Sequence, residues 1–330
     1  MSTFKAIVVK ENQDQVIYGL ENVAFDSLSD GDVLIKLAYS SINYKDMLAV
    51  QKNGGVIRQY PMIPGIDLSG TIVHTPDDRF TEGQKVIVTG FDMGMSHTGG
   101  FAEYARVPAE WIVPLPENLT LKDAMVFGTA GFTAALSIFA LEEKGMDKNN
   151  NPKILVTGST GGVGSIAIQI LSKIGYKNIS ALIRKESQTE VAKSLGATNV
   201  IFASELGEQN KPLNKQKFDF VLDTVGGEVA SVLIPQISYG GSMSMCGNAG
   251  GIKLTSTVLP FILRGINLLG IDSVNVPIND RGYIWGKIAD EWNISKTTLI
   301  DEITLSEIPQ TIEKIKKGQH LGRTIINFNT

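Results

Sequence analysis

The 330 residues include 43% hydrophobic and 19% charged side chains, with 30 Lys and Arg against 34 Asp and Glu and a formal charge of -4. That balance excludes a disordered chain and leaves no electrostatic footprint for nucleic acid or an anionic membrane. The single cysteine, Cys246, rules out an internal disulfide, and with only three histidines (His74, His97, His320) a thiolate zinc cluster is excluded as well.

At about 150 residues per domain, the length predicts two domains. The first residues carry one short apolar run, Ala6 to Val9, between Lys5 and Lys10. This is too short for the apolar core of a signal peptide, so the cytoplasm is the expected location. Strand-like runs follow at Val33 to Ala38, Leu68 to Val73, Lys85 to Thr89 and Phe101 to Val107, a spacing that predicts an antiparallel barrel or sandwich. The long loops Gln51 to Gly65 and Gly90 to Gly100 interrupt it, and loops of that length are commonly functional. Ala124 to Leu141 is uncharged and reaches the lower length limit of a membrane span. Its Gly128, Thr129, Gly131, Thr133 and Ser137 instead predict a helix buried inside the protein.

Beyond the polar turn at Asn149 to Asn151 the pattern becomes repeated strand and helix, the mark of a parallel α/β sheet. Strands are predicted at 153–157, 179–183, 199–202, 218–222, 241–245 and 267–272, and helices at 163–174, 189–195 and 228–237. A helix over 307–317 and a strand-like tail over 323–328 end the chain. Periodicity alone does not place that tail.

The strand Ile154 to Thr157 runs directly into Gly158-Ser159-Thr160-Gly161-Gly162-Val163-Gly164, and the helix after it has apolar residues at 163, 166, 167, 170, 171 and 174. Strand, glycine turn and helix in this order suit a pyrophosphate, which needs close backbone approach and the free N–H groups of a helix start. Thr160, Gly161, Gly162 and Val163 are therefore candidate cofactor ligands, although the strict G-x-G-x-x-G spacing is absent. The second strand ends in Arg184-Lys185, with no acid before Glu186. An acid at this place accepts from the ribose 2′-hydroxyl of NAD, whereas this basic pair, helped by Ser187, suits the 2′-phosphate of NADPH.

Six motifs together resemble the medium-chain dehydrogenase/reductase superfamily in its zinc-independent quinone oxidoreductase branch. They are Ser41-Ile42-Asn43-Tyr44-Lys45-Asp46, Pro64-Gly65-Ile66-Asp67-Leu68-Ser69-Gly70, Gly83-Gln84-Lys85-Val86, Gly99-Gly100-Phe101-Ala102-Glu103-Tyr104, the glycine loop and Gly322-Arg323. Asn43-Tyr44-Lys45-Asp46 and Cys246-Gly247-Asn248-Ala249 most resemble the YhdH/YhfP subgroup, which includes acryloyl-CoA reductases. The resemblance implies a GroES-like β-barrel catalytic domain over 1–122 and 296–330 and a Rossmann domain with a doubly wound parallel sheet over 123–295. It also implies NADPH, Asn248 and Arg323 at the cofactor, a small-molecule substrate and a homodimer. Where the zinc alcohol dehydrogenases carry a His-Glu pair this chain has Ile66-Asp67, and it has Asn43-Tyr44 where they carry a nearby Cys. It also lacks the four cysteines of their structural zinc.

With about three protein ligands needed for catalytic zinc, the oxygen that gains charge on hydride addition must be met by hydrogen-bond donors instead. Tyr44 is the candidate donor or acid, and Asn43 orients the substrate or the cofactor ribose. Asp46 either orients Tyr44 or Lys45 or caps a helix. Cys246, at the carboxyl edge of the fifth parallel strand, reads as a small apolar wall of the cofactor site. The three histidines read as surface or loop residues, with a cleft-facing position as the alternative for His97 in its glycine-flanked loop. Arg58, Arg264 and Arg281 are candidate cations for the phosphates of a CoA thioester. The expected activity is hydride transfer from NADPH to a quinone or to an α,β-unsaturated carbonyl such as acryloyl-CoA. The alternatives are an NADPH-binding redox sensor or scaffold without turnover and, less well supported, a Rossmann-fold methyltransferase.

Overall fold

The computed structural model describes residues 3–13, 15–207, 211–294 and 299–329. The chain divides into two units, one formed by Met1–Thr129, Val274–Asp290 and Thr298–Thr330, the other by Ala130–Ser273 and Glu291–Thr297.

In the first unit, β1 (Thr3–Asn12) and β2 (Gln15–Ala24) pair antiparallel. They are followed by β3 (Val33–Ile42), α1 (Tyr44–Ala49), β4 (Asp67–His74), β5 (Lys85–Thr89), β6 (Tyr104–Val107) and β7 (Val113–Pro114). The helix α2 (Leu121–Glu142) carries the chain into the second unit and breaks its helical angles at Gly128, with φ 51° and ψ -155°. It is long and apolar enough to cross a membrane, but 78% of its apolar window is buried, as the polar interruptions had suggested for a core helix.

The second unit alternates β8 (Ile154–Val156), α3 (Gly162–Lys173), β9 (Ile179–Ile183), α4 (Thr189–Ser194), β10 (Asn199–Phe202), β11 (Phe218–Asp223), α5 (Gly227–Leu233), β12 (Ile237–Met245), α6 (Leu259–Arg264) and β13 (Asn267–Gly270). Among the described residues these strands form one parallel sheet in the order β10-β9-β8-β11-β12-β13. That is the doubly wound order, in which the direction of winding reverses between β8 and β11 and leaves a ligand crevice at their carboxyl ends. Ile154, Leu155 and Val156 are fully buried because helices cover both faces of such a sheet.

The chain then returns to the first unit through α7 (Ile278–Ala289), β14 (Ile300–Ile303), α8 (Ile308–Lys316) and β15 (Arg323–Asn327). The strand-like tail is β15, which lies between β14 and β3 in the sheet β14-β15-β3-β4-β5-β7, with β6 also on β3. Val33, Ile35, Leu37, Leu68, Ile72, Val86 and Val88 alternate into one core on this sheet.

Residues 274–290, expected with the cofactor domain, group with the first unit. The reason is Arg281, whose guanidinium is buried and donates to Thr89 O and Oγ1 at 2.9 Å each and to Val274 O at 2.9 Å, over the ring of Phe91. The first unit also keeps residues 123–129, and the boundary expected at 295/296 lies outside the described residues.

Candidate active site and cofactor loop

Three strand ends meet in the first unit. Antiparallel pairing sets the end of β3 beside the start of β15, with Ile325 opposite Ser41, and β3 also pairs with β4, which begins at Asp67. Ser41, Asp67 and Arg323 are thereby brought together from distant parts of the sequence. The Asp67 carboxylate, fully buried, accepts from Ser41 Oγ at 2.5 Å, Asn43 Nδ2 at 2.7 Å, Thr129 N at 2.9 Å and Thr129 Oγ1 at 2.5 Å. Arg323 lies 3.8 Å away and donates to Val126 O, Ile42 O, Asn43 Oδ1 and Ser41 Oγ. Burial lowers the Arg323 pKa, against the pull of Asp67 and Asp46.

Gly128 makes this packing possible. Its φ of 51° is strained for any residue with a Cβ, and a Cβ there would fall 2.5 Å from both Asp67 Oδ2 and Ser41 Oγ.

The same network fixes the start of α1. Asp46 accepts the N–H of Asn43 at 2.7 Å and that of Ile66 at 3.2 Å, so it is a helix cap, one of its two expected roles. Burial, then the nearby charge of Asp67, push its pKa up to about 7, outweighing those hydrogen bonds. Asn43 is buried, with its amide held by Asp67 and Arg323. Tyr44, the first residue of α1, is 45% exposed, and its hydroxyl has no partner among the described residues. The arrangement therefore presents one free phenol on a rigidly held helix start.

Several expected residues have other positions. Arg323, expected at the cofactor, is 2% exposed, and all three nitrogens of its guanidinium bond protein atoms, which favours a scaffold role. His97 is not a surface residue: it is buried edge-on against Trp111, with its ring nitrogens 3.0 Å from Thr98 O and 2.9 Å from Asp30 O. His320 is also partly buried, and that burial lowers its pKa to about 4. Of the three candidate cations for a CoA moiety, Arg281 is buried as described, and Arg264 donates to Pro235 O, Ile237 O and Asn214 O. Arg58 is exposed.

In the second unit β8 leads into the glycine loop. Gly158 has φ 55°, and a Cβ on Gly164 would fall 2.4 Å from Gly158 O, so these two positions exclude side chains and allow close approach of an anion to the backbone. Gly162 and Val163 open α3, where the first N–H groups lack partners within the helix. Arg184, Lys185 and Ser187 are exposed after β9, and neither cation is ion-paired among the described residues. This donor set fits a dinucleotide with an added phosphate. Asn248 is exposed just beyond β12. Cys246 donates weakly to Asp223 O, and burial pushes its thiol up to about 12, as suits a wall and not a nucleophile.

Sequence reasoning missed three polar residues at these sites. Asp67 and Thr129 form the anchor just described, and Asp223, buried at the end of β11, accepts from Thr157 Oγ1 and Gly226 N. The signal available was an acid at a strand end next to a glycine turn.

Residues 29–117 match the alcohol dehydrogenase GroES-like domain, and residues 162–283 match the zinc-binding dehydrogenase domain. The chain is 43% identical to the putative quinone oxidoreductase YhfP of Bacillus subtilis, covering 99% of this chain and all of that one. A crystal structure of B. subtilis yhfP with NAD bound superposes with a TM-score of 0.95 at 42% identity, covering 99% of this chain and all of that one. The probable acrylyl-CoA reductase AcuI of Escherichia coli is 42% identical over 98% of this chain and its own full length. The yhdH oxidoreductase of Salmonella enterica, crystallised with NADP, has a TM-score of 0.95 at 40% identity, covering 98% of this chain and all of that one. The chain therefore belongs to the medium-chain dehydrogenase/reductase superfamily. Within it, the chain falls in the YhdH/YhfP group of quinone oxidoreductases and acrylyl-CoA reductases.

The zinc of that superfamily does not fit this site. The carboxylate at the expected ligand position, Asp67, already holds four hydrogen bonds and faces the buried charge of Arg323, which would oppose a second cation. Among the described residues no three His, Cys, Asp or Glu side chains converge.

Proposed function

We propose that this chain is an NADPH-dependent reductase that transfers hydride to a quinone or to an α,β-unsaturated carbonyl such as acryloyl-CoA, without zinc. The observation that carries the reading is the end-to-end likeness to the acrylyl-CoA reductases and quinone oxidoreductases, joined to a tight loop whose glycines leave no room for a Cβ at 158 and 164 and an unpaired Arg184-Lys185 pair. When bound, NADPH supplies a hydride to the carbon β to the carbonyl. Thr160, Gly161, Gly162 and Val163 hold the pyrophosphate, Arg184, Lys185 and Ser187 hold the 2′-phosphate, and Cys246 and Asn248 border the site. Tyr44 donates a hydrogen bond to the oxygen on which charge collects, or passes its proton on. Asn43, Asp46 and Arg323 act through position, holding the helix start that carries Tyr44.

A soluble, cytoplasmic homodimer is the assembly this reading favours. Val258, Ile262 and Leu263 on and beside α6 are 66%, 68% and 56% exposed, and α6 leads into the edge strand β13. Pairing of that edge with a second copy would cover it. A monomer by light scattering at micromolar concentration would refute the pairing.

The activity is tested by kcat/KM for acryloyl-CoA, a simple benzoquinone and a short enone, each with NADPH and with NADH. A thioester rate no better than that of the enone removes the CoA assignment. No NADPH oxidation with any acceptor returns the protein to a binding or sensing role.

A further inference from the structure

Gln188, in the turn between β9 and α4, joins the two halves of the cofactor site in the second unit. Its Oε1 accepts the N–H of Arg184 at 3.0 Å and that of Lys185 at 3.1 Å, and its Nε2 donates to Thr160 Oγ1 at 2.7 Å. The two backbone donors fix which end of the amide is the oxygen, so the hydrogen bond to Thr160 can run in only one direction.

That direction has a chemical consequence. A hydroxyl that accepts from Gln188 must turn its own hydrogen away from Gln188, and the Thr160 hydroxyl has no acceptor among the described residues. Thr160 lies in the glycine loop between Gly158 and Gly161, so its hydroxyl is set as a donor where an anion would bind. The same amide holds the backbone of Arg184 and Lys185, whose charged side chains stay exposed and unpaired. A second tie, from Ser159 Oγ to Leu182 O at 2.7 Å, keeps the loop on β9.

We propose that Gln188 is a specificity-determining positioning residue. By orienting the Thr160 hydroxyl and fixing the backbone of the basic pair with one amide, it sets the spacing between the pyrophosphate loop and the cations for a 2′-phosphate. Ordering both before the ligand arrives lowers the cost of binding the doubly anchored cofactor, and NADPH gains more than NADH. The inference rests on the NADPH reading above.

The test is direct binding of NADPH and NADH to the full chain by calorimetric titration, with melting of the cofactor-free protein alongside. Gln188→Glu keeps an acceptor for the two backbone N–H groups, so the turn stays capped. It would also accept from Thr160, turning that hydroxyl inward, and it places a negative charge beside the basic pair. The expected result is a melting temperature close to wild type and at least a tenfold loss of preference for NADPH over NADH. Gln188→Met, which removes the amide without adding a charge, should lower the same ratio, and so separates lost positioning from repulsion of the 2′-phosphate by the new carboxylate. A ratio within twofold of wild type in both folded variants overturns the inference, leaving Gln188 as a turn cap only. Wild-type protein with no preference for NADPH overturns the cofactor reading itself, and this inference with it.

Discussion

Replacing Arg323 by Met separates its two roles, scaffold and cofactor ligand. Methionine keeps much of the apolar stem but removes donors to Val126 O, Ile42 O, Asn43 Oδ1 and Ser41 Oγ, and it removes the charge 3.8 Å from the Asp67 carboxylate. Removing one partner of a buried pair costs about 3–5 kcal/mol, because the other charge stays buried without its counterion. Asp67 keeps its bonds to Ser41, Asn43 and Thr129, which argues for the lower part of that range. For a domain of 150–250 residues each kcal/mol lowers the melting temperature by about 2–4 °C, so a loss of about 3–4 kcal/mol predicts a fall of about 6–16 °C by calorimetry without cofactor. Adding Asp67→Asn to Arg323→Met removes the stranded charge and should recover about 1–3 kcal/mol. Well below the transition, NADPH should bind the variant within about threefold of wild type, as expected for a residue that makes no cofactor contact. A melting temperature within about 2 °C of wild type, given the same scaling, would refute the scaffold argument. A large loss of NADPH affinity in a folded variant would restore Arg323 to the cofactor site.

Asp46 has a pKa near 7 in the folded protein against about 3.9 in the unfolded chain, so the folded state holds its proton more tightly. Its contribution to stability is complete below about pH 4 and is lost as pH rises toward 7, by at most about 1.4 kcal/mol per unit. Asp223, also raised by burial, adds in the same sense, so the measurement is the difference between wild type and Asp46→Asn. Urea midpoints at pH 5 and 7.5 should differ less in the variant, and identical pH dependence in both proteins would sink the assignment. Tyr44→Phe should lower turnover about 100-fold with NADPH binding unchanged, and a loss of only a few-fold would leave solvent or a ribose hydroxyl as the proton source. Activity should survive exhaustive chelation because Arg323 occupies the electrostatic place of a metal beside Asp67, and stoichiometric zinc linked to activity would overturn that account.

Local pattern was enough for the parallel sheet. Strand 179–183 falls where the sequence puts it because a strand buried on both faces is a nearly continuous apolar run between polar turns, and the partly exposed edge strand 199–202 falls in place because Val200-Ile201-Phe202 is a short run of strand-favouring residues. The glycine loop and Arg184-Lys185 were legible for a similar reason: the turn, the helix start and the end of β9 are each specified by adjacent residues. β2 was missed because none of its residues is fully buried, so it carries no strong alternation. The expected strand 101–107 is shorter in the structure, beginning at Tyr104.

What the sequence by itself determined was the fold class and the strand–glycine turn–helix unit, and it offered Tyr44 as a candidate, because each shows in a pattern of neighbouring residues. Tertiary structure alone decided which buried polar groups meet. Asp67 finds Arg323 through the register of β3 with β4 and β15, Arg281 is drawn from a candidate surface cation into the first unit by Thr89 and Val274, and Gln188 finds Thr160 across a strand and a helix. A buried charge or amide needs partners of the right geometry, but no local periodicity records which distant residue will supply them. Polar residues of one type thus look alike in the sequence until the sheet register assigns each its neighbour.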